Sequence, residues 1–410
     1  MPRGKIFEVA AGRFRLGVLL TGVMVTSNLI VFALGALGPL LVADLSVSRA
    51  DLGLLASTYY LCAAAGSALL GGLVGRAGAR RSTAFMLGLG TVAATWLAAA
   101  DSYGWFFLGL ALGGVVAALA NPATNLALSA VPGRLGVLVG SKQSGVQGGA
   151  LLAGSLLPPV AVVWGWQAAF VVCAGCYLLC FTGLPLLTGA RPAPAPPGAA
   201  TGSRPAGLVP LAAYAGCMGA GTSTVTTYLA LYGHEVVGLS VRVAGSLLAV
   251  VGAVAVLARI AWSVLAERAS RPVRGWLLAG IAGIAVAAAG VLSLGRIGGP
   301  VVLWAGTLLV GVSAAAWNGV VMLMVIRDLP AERTAVVSGR VQAAFFVGLC
   351  VSPPLFGVLV DRYGGYGAGW GWSGLCFLAA GVAALLTRTR WNGPPVIAGA
   401  PAGRARAHRG

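Results

Sequence analysis

Long apolar segments, separated by short polar stretches, recur along nearly the whole chain. Each segment has close to the 20 residues that an α-helix needs to cross the hydrocarbon core of a bilayer. The pattern therefore predicts an all-α membrane protein with twelve transmembrane helices. Their expected bounds are 16–42, 52–75, 82–100, 104–130, 137–162, 167–188, 207–232, 242–266, 275–294, 300–326, 335–360 and 370–387.

The composition excludes a soluble protein. Hydrophobic residues make up 58% of the chain and charged residues only 9%, whereas ordinary soluble domains are roughly 25% charged. A stretch of proline, alanine and glycine divides the apolar segments into two sets of six, and its composition is that of an extended linker. The predicted parts are a cytoplasmic N-terminus (1–15), an N-terminal six-helix bundle (16–188), a cytoplasmic linker (189–206), a C-terminal six-helix bundle (207–387) and a basic cytoplasmic tail (388–410).

The net charge of +18 is spread unevenly along the chain. With the N-terminus placed in the cytoplasm, twenty of the 27 Lys and Arg residues fall on the inner side and four fall in outer loops. This asymmetry follows the positive-inside rule. It predicts a multi-pass protein of the cell (inner) membrane with both termini cytoplasmic. It also explains the basic charge through contact with the lipid bilayer, so no nucleic-acid partner is expected.

The two sets of six helices are internal repeats of each other. Residues Gly114–Asn121 (GVVAALAN) and Gly311–Asn318 (GVSAAAWN) match at five of eight positions with an offset of 197. A second match, at an offset of 199, pairs Gly140, Gln143 and Gly149 with Gly339, Gln342 and Gly348. The fourth and tenth helices, and the fifth and eleventh, are therefore expected to be equivalent, which predicts two pseudo-symmetric bundles with a binding site between them.

The segment Gly71–Arg81 resembles the signature G-x-L-x-D-R-x-G-x-R-R of major facilitator superfamily transporters, with Gly75 at the position of the Asp. The second copy, Ser263–Arg268, keeps an acid at Glu267. The resemblance covers nearly the whole chain and implies the major facilitator fold and membrane transport by alternating access. It also implies a gate at these loops, for which the candidate charges are Arg76, Arg80, Glu267 and Arg268.

A narrower likeness lies in the fifth helix. Ser141–Val146, with Pro158 and Gly165–Phe170 after it, resembles the K-Q-x-G pattern of cyanate-permease-like members. Arg259 and Arg340 fall on the helices where oxalate/formate antiporters and monocarboxylate transporters carry substrate-binding cations. These likenesses imply a small anionic substrate.

Three basic residues within apolar segments support the same substrate class independently. Lys142, Arg259 and Arg340 have no Asp or Glu at comparable depth, and an ionisable group at mid-membrane costs roughly 2.5 to 3.5 kcal/mol. Lys142 and Arg340 are expected about 9 Å inside their helices at 1.5 Å per residue, and they form the better candidate pair. An anion between them would supply the missing negative charge. One alternative is that the three side chains reach back to the lipid headgroups. A separate alternative is that Arg259 serves the gate.

Uncharged polar residues in the spans complete the predicted substrate site. Amides are costly to leave against lipid, so they should face the bundle interior, either touching substrate or joining helices. The polar run 222–228 favours a partly broken or cavity-lining seventh helix. These candidates are Asn28, Asn121, Asn125, Gln143, Asn318 and Tyr228.

The remaining residues narrow the function further. All nine acids lie in loops or at helix ends, so a carboxylate proton relay at mid-membrane is not expected. The sequence holds no metal-ligating or catalytic motif, and we expect no enzymatic activity, no metal and no cofactor. A monomer that transports a small anion is the preferred hypothesis. The alternative is a drug or secondary-metabolite efflux transporter, which shares the fold.

Overall fold

The computed structural model describes residues 3–129, 131, 136–187, 207–328 and 331–390, and this part of the chain is helical apart from short turns. The predicted linker 189–206 and most of the predicted tail 388–410 lie outside the described residues. The helices are α1 (Arg3–Ser27), α2 (Leu29–Ala36), α3 (Gly38–Leu45), α4 (Arg49–Ala77), α5 (Ala79–Ala99), α6 (Tyr103–Ser129), α7 (Gly136–Phe181), α8 (Leu208–Glu235), α9 (Val241–Arg268), α10 (Arg271–Ser293), α11 (Gly295–Val312), α12 (Asn318–Asp328), α13 (Ala331–Tyr363) and α14 (Gly367–Arg390).

The predicted spans correspond to these helices in order. α7 contains the fifth and sixth spans, which are separated at Gly165, where φ is +81°; only glycine adopts this conformation readily. By length and hydropathy alone, eight of the described helices could cross a membrane, or nine if the bent pair formed by α1 and α2 counts as one span. The all-α membrane fold is confirmed.

Two spans are broken inside the membrane. The first is divided into α1, α2 and α3, and it bends by 47° between α1 and α2 at Asn28. The tenth is divided into α11 and α12 by the non-helical turn 313–317. The seventh span was predicted to be partly broken or cavity-lining, and the first alternative is wrong because α8 is continuous. Its hydroxyls at Ser223, Thr224 and Thr226 bond to carbonyls three residues earlier, which satisfies them without interrupting the helix.

Helix packing follows the internal repeat. In the first half α1 packs on α7 and α4 packs on α6; in the second half α8 packs on α13 and α9 packs on α11. The most extensive contacts between the halves are the α7–α9 seam and the α4–α13 seam, and α2 and α3 also pack against α8. Because the repeat pairs α7 with α13 and α4 with α9, the two seams are equivalent under the pseudo-two-fold relation.

The helix ends define two ends of the bundle. The N-terminus of α4 meets the C-termini of α8 and α13 through contacts of Arg49 with Glu235 and Asp361, and we call this the Arg49 end. The opposite end, where α4 finishes and α9 reaches Arg268, is called the Arg76 end.

Candidate functional site

Lys142 is buried in the first half between α7 and α6. Its residue surface is 0% exposed, and its ammonium nitrogen Nζ lies 3.2 Å from Asn121 Oδ1 and 2.5 Å from Asn125 Oδ1. Both partners are neutral amides one helical turn apart on α6. The structure therefore brings together three of the predicted site residues, Lys142, Asn121 and Asn125, and no described acid contacts the Lys142 nitrogen.

The two asparagines are exposed although the lysine is not. Asn121, Asn125 and Ser129 form an exposed stripe with four-residue spacing on α6 near the Arg76 end. Carboxamides are costly against hydrocarbon, so this stripe faces a water-filled space. By contrast, the exposed positions of α7 at Val162, Val163 and Trp164 are apolar, as expected for lipid contact.

The turn between α11 and α12 collects hydrogen-bond donors from three helices. The main-chain oxygens of Val312, the last residue of α11, and of Ala314 in the turn accept hydrogen bonds from Trp262 and Thr222, at 2.7 and 2.9 Å. The oxygen of Ala315 accepts two more, as described below. Irregular backbone at membrane depth requires such compensation, and broken spans in secondary transporters lie at the substrate path.

Arg259 joins the two halves at this turn. One terminal nitrogen donates to the main-chain oxygen of Gln143 on α7 and the other to Ala315 O, both at 3.1 Å. Gln147 of α7 donates to the same Ala315 oxygen at 3.2 Å. Among the described residues no acid contacts Arg259, and its buried Nε has no partner. Arg259 is therefore bound to neutral backbone across the α7–α9 seam.

Arg340 lies apart from these contacts. It is exposed, and it makes no hydrogen bond or ion pair with another described residue. The same face of α13 carries Val347 and Val351, which are 60% and 58% exposed. The structure thus does not bring Arg340 and Lys142 together as the expected pair. The reason is rotational register: the repeat offset of 199 pairs Lys142 with Val341, which is 1% exposed, and Arg340 with Ser141.

The remaining predicted site residues lie at the broken spans or at the contacts between the halves. Asn28 occupies the break between α1 and α2, where its amide donates to Ser27 Oγ at 2.9 Å. Asn318 begins α12 and has a buried Oδ1 without a hydrogen-bond partner among the described residues. Gln143 contributes its main-chain oxygen to Arg259. Tyr228 is buried in α8, and its hydroxyl lies 2.6 Å from Arg49 O and 2.7 Å from Pro353 O, which places it at the Arg49 end.

A set of contacts that the sequence analysis missed closes the Arg49 end. We call Arg49, Glu235, Asp361 and Tyr366 the latch. The Arg49 guanidinium lies 2.9 Å from Glu235 Oε1 and 3.9 Å from Asp361 Oδ1. Tyr366 donates to Glu235 Oε2 at 2.7 Å; burial, followed by the charge of Glu235, raises the pKa of Tyr366. The latch therefore joins the two halves electrostatically.

Asp361 also caps a helix of the other half. Its Oδ2 accepts from the backbone N–H of Ala50 at 2.9 Å, and its Oδ1 lies 3.4 Å from the N–H of Arg49. The first N–H groups of a helix lack partners inside that helix and carry partial positive charge. The sequence signal was present but weak: an Arg and two acids all lie at helix ends on the same predicted side.

Among the described residues, the predicted gate residues at the Arg76 end make no hydrogen bond or ion pair across the halves. Arg76, Arg80 and Arg268 are exposed. Glu267 pairs with Arg327 at 2.7 Å, and both belong to the second half. Within the described ranges, the ion pairs that link the halves belong to the latch. A gating role for Arg76, Arg80, Glu267 and Arg268 stays a prediction.

The fold and the site define a multi-span membrane carrier with broken helices at the interface of two pseudo-symmetric halves. A family model described as Major Facilitator Superfamily matches residues 19–353. The chain belongs to this superfamily and is a transporter rather than an enzyme. No curated protein matches it.

Solved structures show the same fold at low sequence identity. A bacterial homologue of the human lysosomal transporter Spinster, inward-facing and occupied, gives a TM-score of 0.71 at 16% identity over 93% of this chain and 96% of that chain. Its unoccupied form gives 0.70 at 16% identity with the same coverage. A mutant of the nucleoside transporter NupG gives 0.73 at 14% identity over 92% of this chain and 99% of that chain.

Proposed function

We propose that this transporter carries a small anion, carboxylate- or cyanate-like, across the cell (inner) membrane by alternating access. The observation that carries the proposal is the pair of cations near the α7–α9 seam. Among the described residues, the Lys142 ammonium donates hydrogen bonds to neutral amides and the Arg259 guanidinium donates to main-chain oxygens, and neither pairs with an acid. A buried cation without an acid needs a counter-charge, and an anionic substrate supplies one.

The orientation follows from the placement of charge. The Arg76 end carries most of the basic residues, so we place it, together with both termini, in the cytoplasm. The conformation described here is then closed towards the outside by the latch, and the stripe of Asn121, Asn125 and Ser129 faces the cytoplasmic side. Transport requires the latch to open while the Arg76 end closes. The protein acts as a monomer in this scheme.

Uptake by proteoliposomes tests the substrate class. Purified protein is reconstituted and offered labelled formate, acetate, oxalate and cyanate, and in parallel labelled cationic drugs. We expect saturable uptake or exchange of at least one anion, reduced more than tenfold in Lys142→Gln. The matched control is Arg296→Gln, which removes one exposed positive charge at the Arg49 end.

The alternative function gives a different result in the same assay. An efflux transporter for bulky cationic compounds would move the drugs, ignore the four anions and tolerate Lys142→Gln. That outcome would replace the anion proposal.

A further inference from the structure

We propose that the substrate anion is bound by the carboxamide N–H groups of Asn121 and Asn125, and that Lys142 is a positioning residue that orients these amides without touching the anion. This inference rests on the proposed anion transport and deepens it.

The first step is that Lys142 is covered by its partners. The lysine residue is fully buried, whereas Asn121 and Asn125 are exposed on the polar stripe of α6. An anion that enters along this stripe therefore meets the two amides before it meets the ammonium. Direct contact with Nζ would first require Asn121 or Asn125 to move aside.

The second step concerns which amide atoms face the open space. Each side-chain oxygen accepts a hydrogen bond from the Lys142 ammonium, and the ammonium has donors only. The oxygens are thereby held towards the lysine and the NH₂ groups are turned away from it. Each NH₂ carries two donors, and a cation on the oxygen polarises the amide and strengthens those donors.

The third step is the match between donors and ligand. Side chains four residues apart on a helix have Cβ atoms about 5–6 Å apart, so the two NH₂ groups form a compact set of neighbouring donors. A small anion with two acceptor atoms can accept from both amides at once. The positive charge behind them gives the site a preference for anions while Lys142 stays out of the water.

A variant without the two amides distinguishes anion binding by the asparagines from direct anion binding by the lysine. In the double variant Asn121→Ala plus Asn125→Ala, Lys142 becomes uncovered. We expect the KM for the transported anion among formate, acetate, oxalate and cyanate to rise at least tenfold. An unchanged or lower KM would mean that the ammonium itself binds the anion, and the proposal would be overturned.

A second variant keeps the fold while removing the donors. Asn125→Asp places a carboxylate beside Lys142, which neutralises the charge and takes away one NH₂ group. The readout is the rise in melting temperature that the sodium salts of the four anions cause, relative to sodium chloride at equal ionic strength. We expect that rise to disappear although the protein without anion melts at the same or a higher temperature. A retained rise contradicts the proposal. The control is Ser129→Ala, on the same stripe one turn further, which should respond like wild type.

The role of Lys142 is tested by separating affinity from rate. Lys142→Met frees the two amides, so the KM should rise, and Lys142→Arg should restore part of the affinity because a guanidinium can donate to both oxygens. A purely structural role would lower the folded fraction and the maximal rate with an unchanged KM.

The failure of this inference can be distinguished from the failure of the proposed function. If wild type itself neither transports any of the four anions nor is stabilised by one, the proposed function fails as well. If wild type responds and the asparagine variants respond equally, this inference alone fails.

Discussion

The repeat-related helices α7 and α13 differ in where they place their basic residue. On α7 the face of Lys142, Gly145 and Gly149 packs against the first span, with a close approach to Thr21 and Val25. On α13 the equivalent face packs against α8 at Gly216 and Ala220. Lys142 lies on the packed face, but Arg340 lies one residue before its equivalent. One residue turns the helix by about 100°, so equal depth in the membrane does not imply an equal environment.

The two seams that these helices form differ as well. The α7–α9 seam has close backbone contact from Gly154 and Gly245 towards Gln143, where Arg259 crosses it. The α4–α13 seam has close contact near Arg49 and is closed there by the latch. Backbone packing and hydrogen bonds from Arg259 and Gln147 to main-chain oxygens hold the first seam, whereas ion pairs hold the end of the second. The latch end is therefore expected to respond to charge mutation, and the other seam to changes in shape.

The largest effect is expected from moving a cation into the buried register of α13. Val341→Lys places an ammonium at the buried position equivalent to Lys142, where the repeat supplies Asn318 in place of Asn121 but Met322 in place of Asn125. We expect a loss of at least about 2.5–3.5 kcal/mol of folding stability, seen as a large fall in melting temperature or as aggregation in detergent. The control is Ala343→Lys, which adds the same charge to the exposed face and should leave the protein folded. Equal stability of the two variants would refute the register explanation.

Opening the latch should change the conformational equilibrium. Asp361→Asn removes the charge that caps α4 and pairs with Arg49. A negative charge at a helix N-terminus contributes about 0.3–1 kcal/mol and an exposed ion pair about 0.2–1 kcal/mol, so the conformation closed at the Arg49 end should lose roughly two- to thirtyfold in population relative to the open one. Spin labels at Asp101 and Arg242, in opposite halves at this end, should report longer distances.

The control for the latch removes an ion pair inside one half. Arg327→Gln breaks the pair with Glu267 at the other end, and the distance between the two spin labels should stay as in wild type. Equal distances in Asp361→Asn and wild type would show that the latch charges do not hold the seam closed.

A smaller effect is expected at Arg259. Its two terminal nitrogens bind oxygens on different halves, and lysine offers a single point charge instead of a planar fork. We expect Arg259→Lys to lower the maximal transport rate about three- to tenfold with a KM within twofold of wild type. A raised KM with an unchanged rate would indicate that Arg259 touches substrate.

The smallest effect is expected from Arg340→Gln. The side chain is exposed and makes no hydrogen bond or ion pair with another described residue, so anion transport and melting temperature should stay within experimental error of wild type. The same assay on Lys142→Gln provides the contrast. A tenfold loss in Arg340→Gln would restore the pairing of these two residues that the sequence predicted.

Much of the architecture could be predicted from sequence because hydrocarbon thickness sets helix length. The predicted second and eighth spans begin at 52 and 242, and the helices begin at Arg49 and Val241. The contact of Lys142 with Asn121 and Asn125 could also be anticipated, because polar side chains in neighbouring spans hydrogen-bond to each other rather than face lipid. Hydropathy did not indicate the turn at 313–317. The side chains that donate hydrogen bonds to its main-chain oxygens come from distant parts of the chain, so the local sequence does not reveal them.

The sequence by itself determined the membrane class, the order of the apolar segments, the internal repeat and the presence of cations without neighbouring acids. Composition and hydrophobic pattern are local properties of the sequence. A long apolar segment in a bilayer forms a helix because its backbone hydrogen bonds must then be satisfied within the segment. Only the tertiary structure decided that Lys142 is buried while Arg340 is exposed, that Arg259 crosses a seam, and that Arg49, Glu235 and Asp361 meet. These outcomes depend on helix rotation and on pairing between the halves, where a shift of one residue changes which neighbour a side chain has.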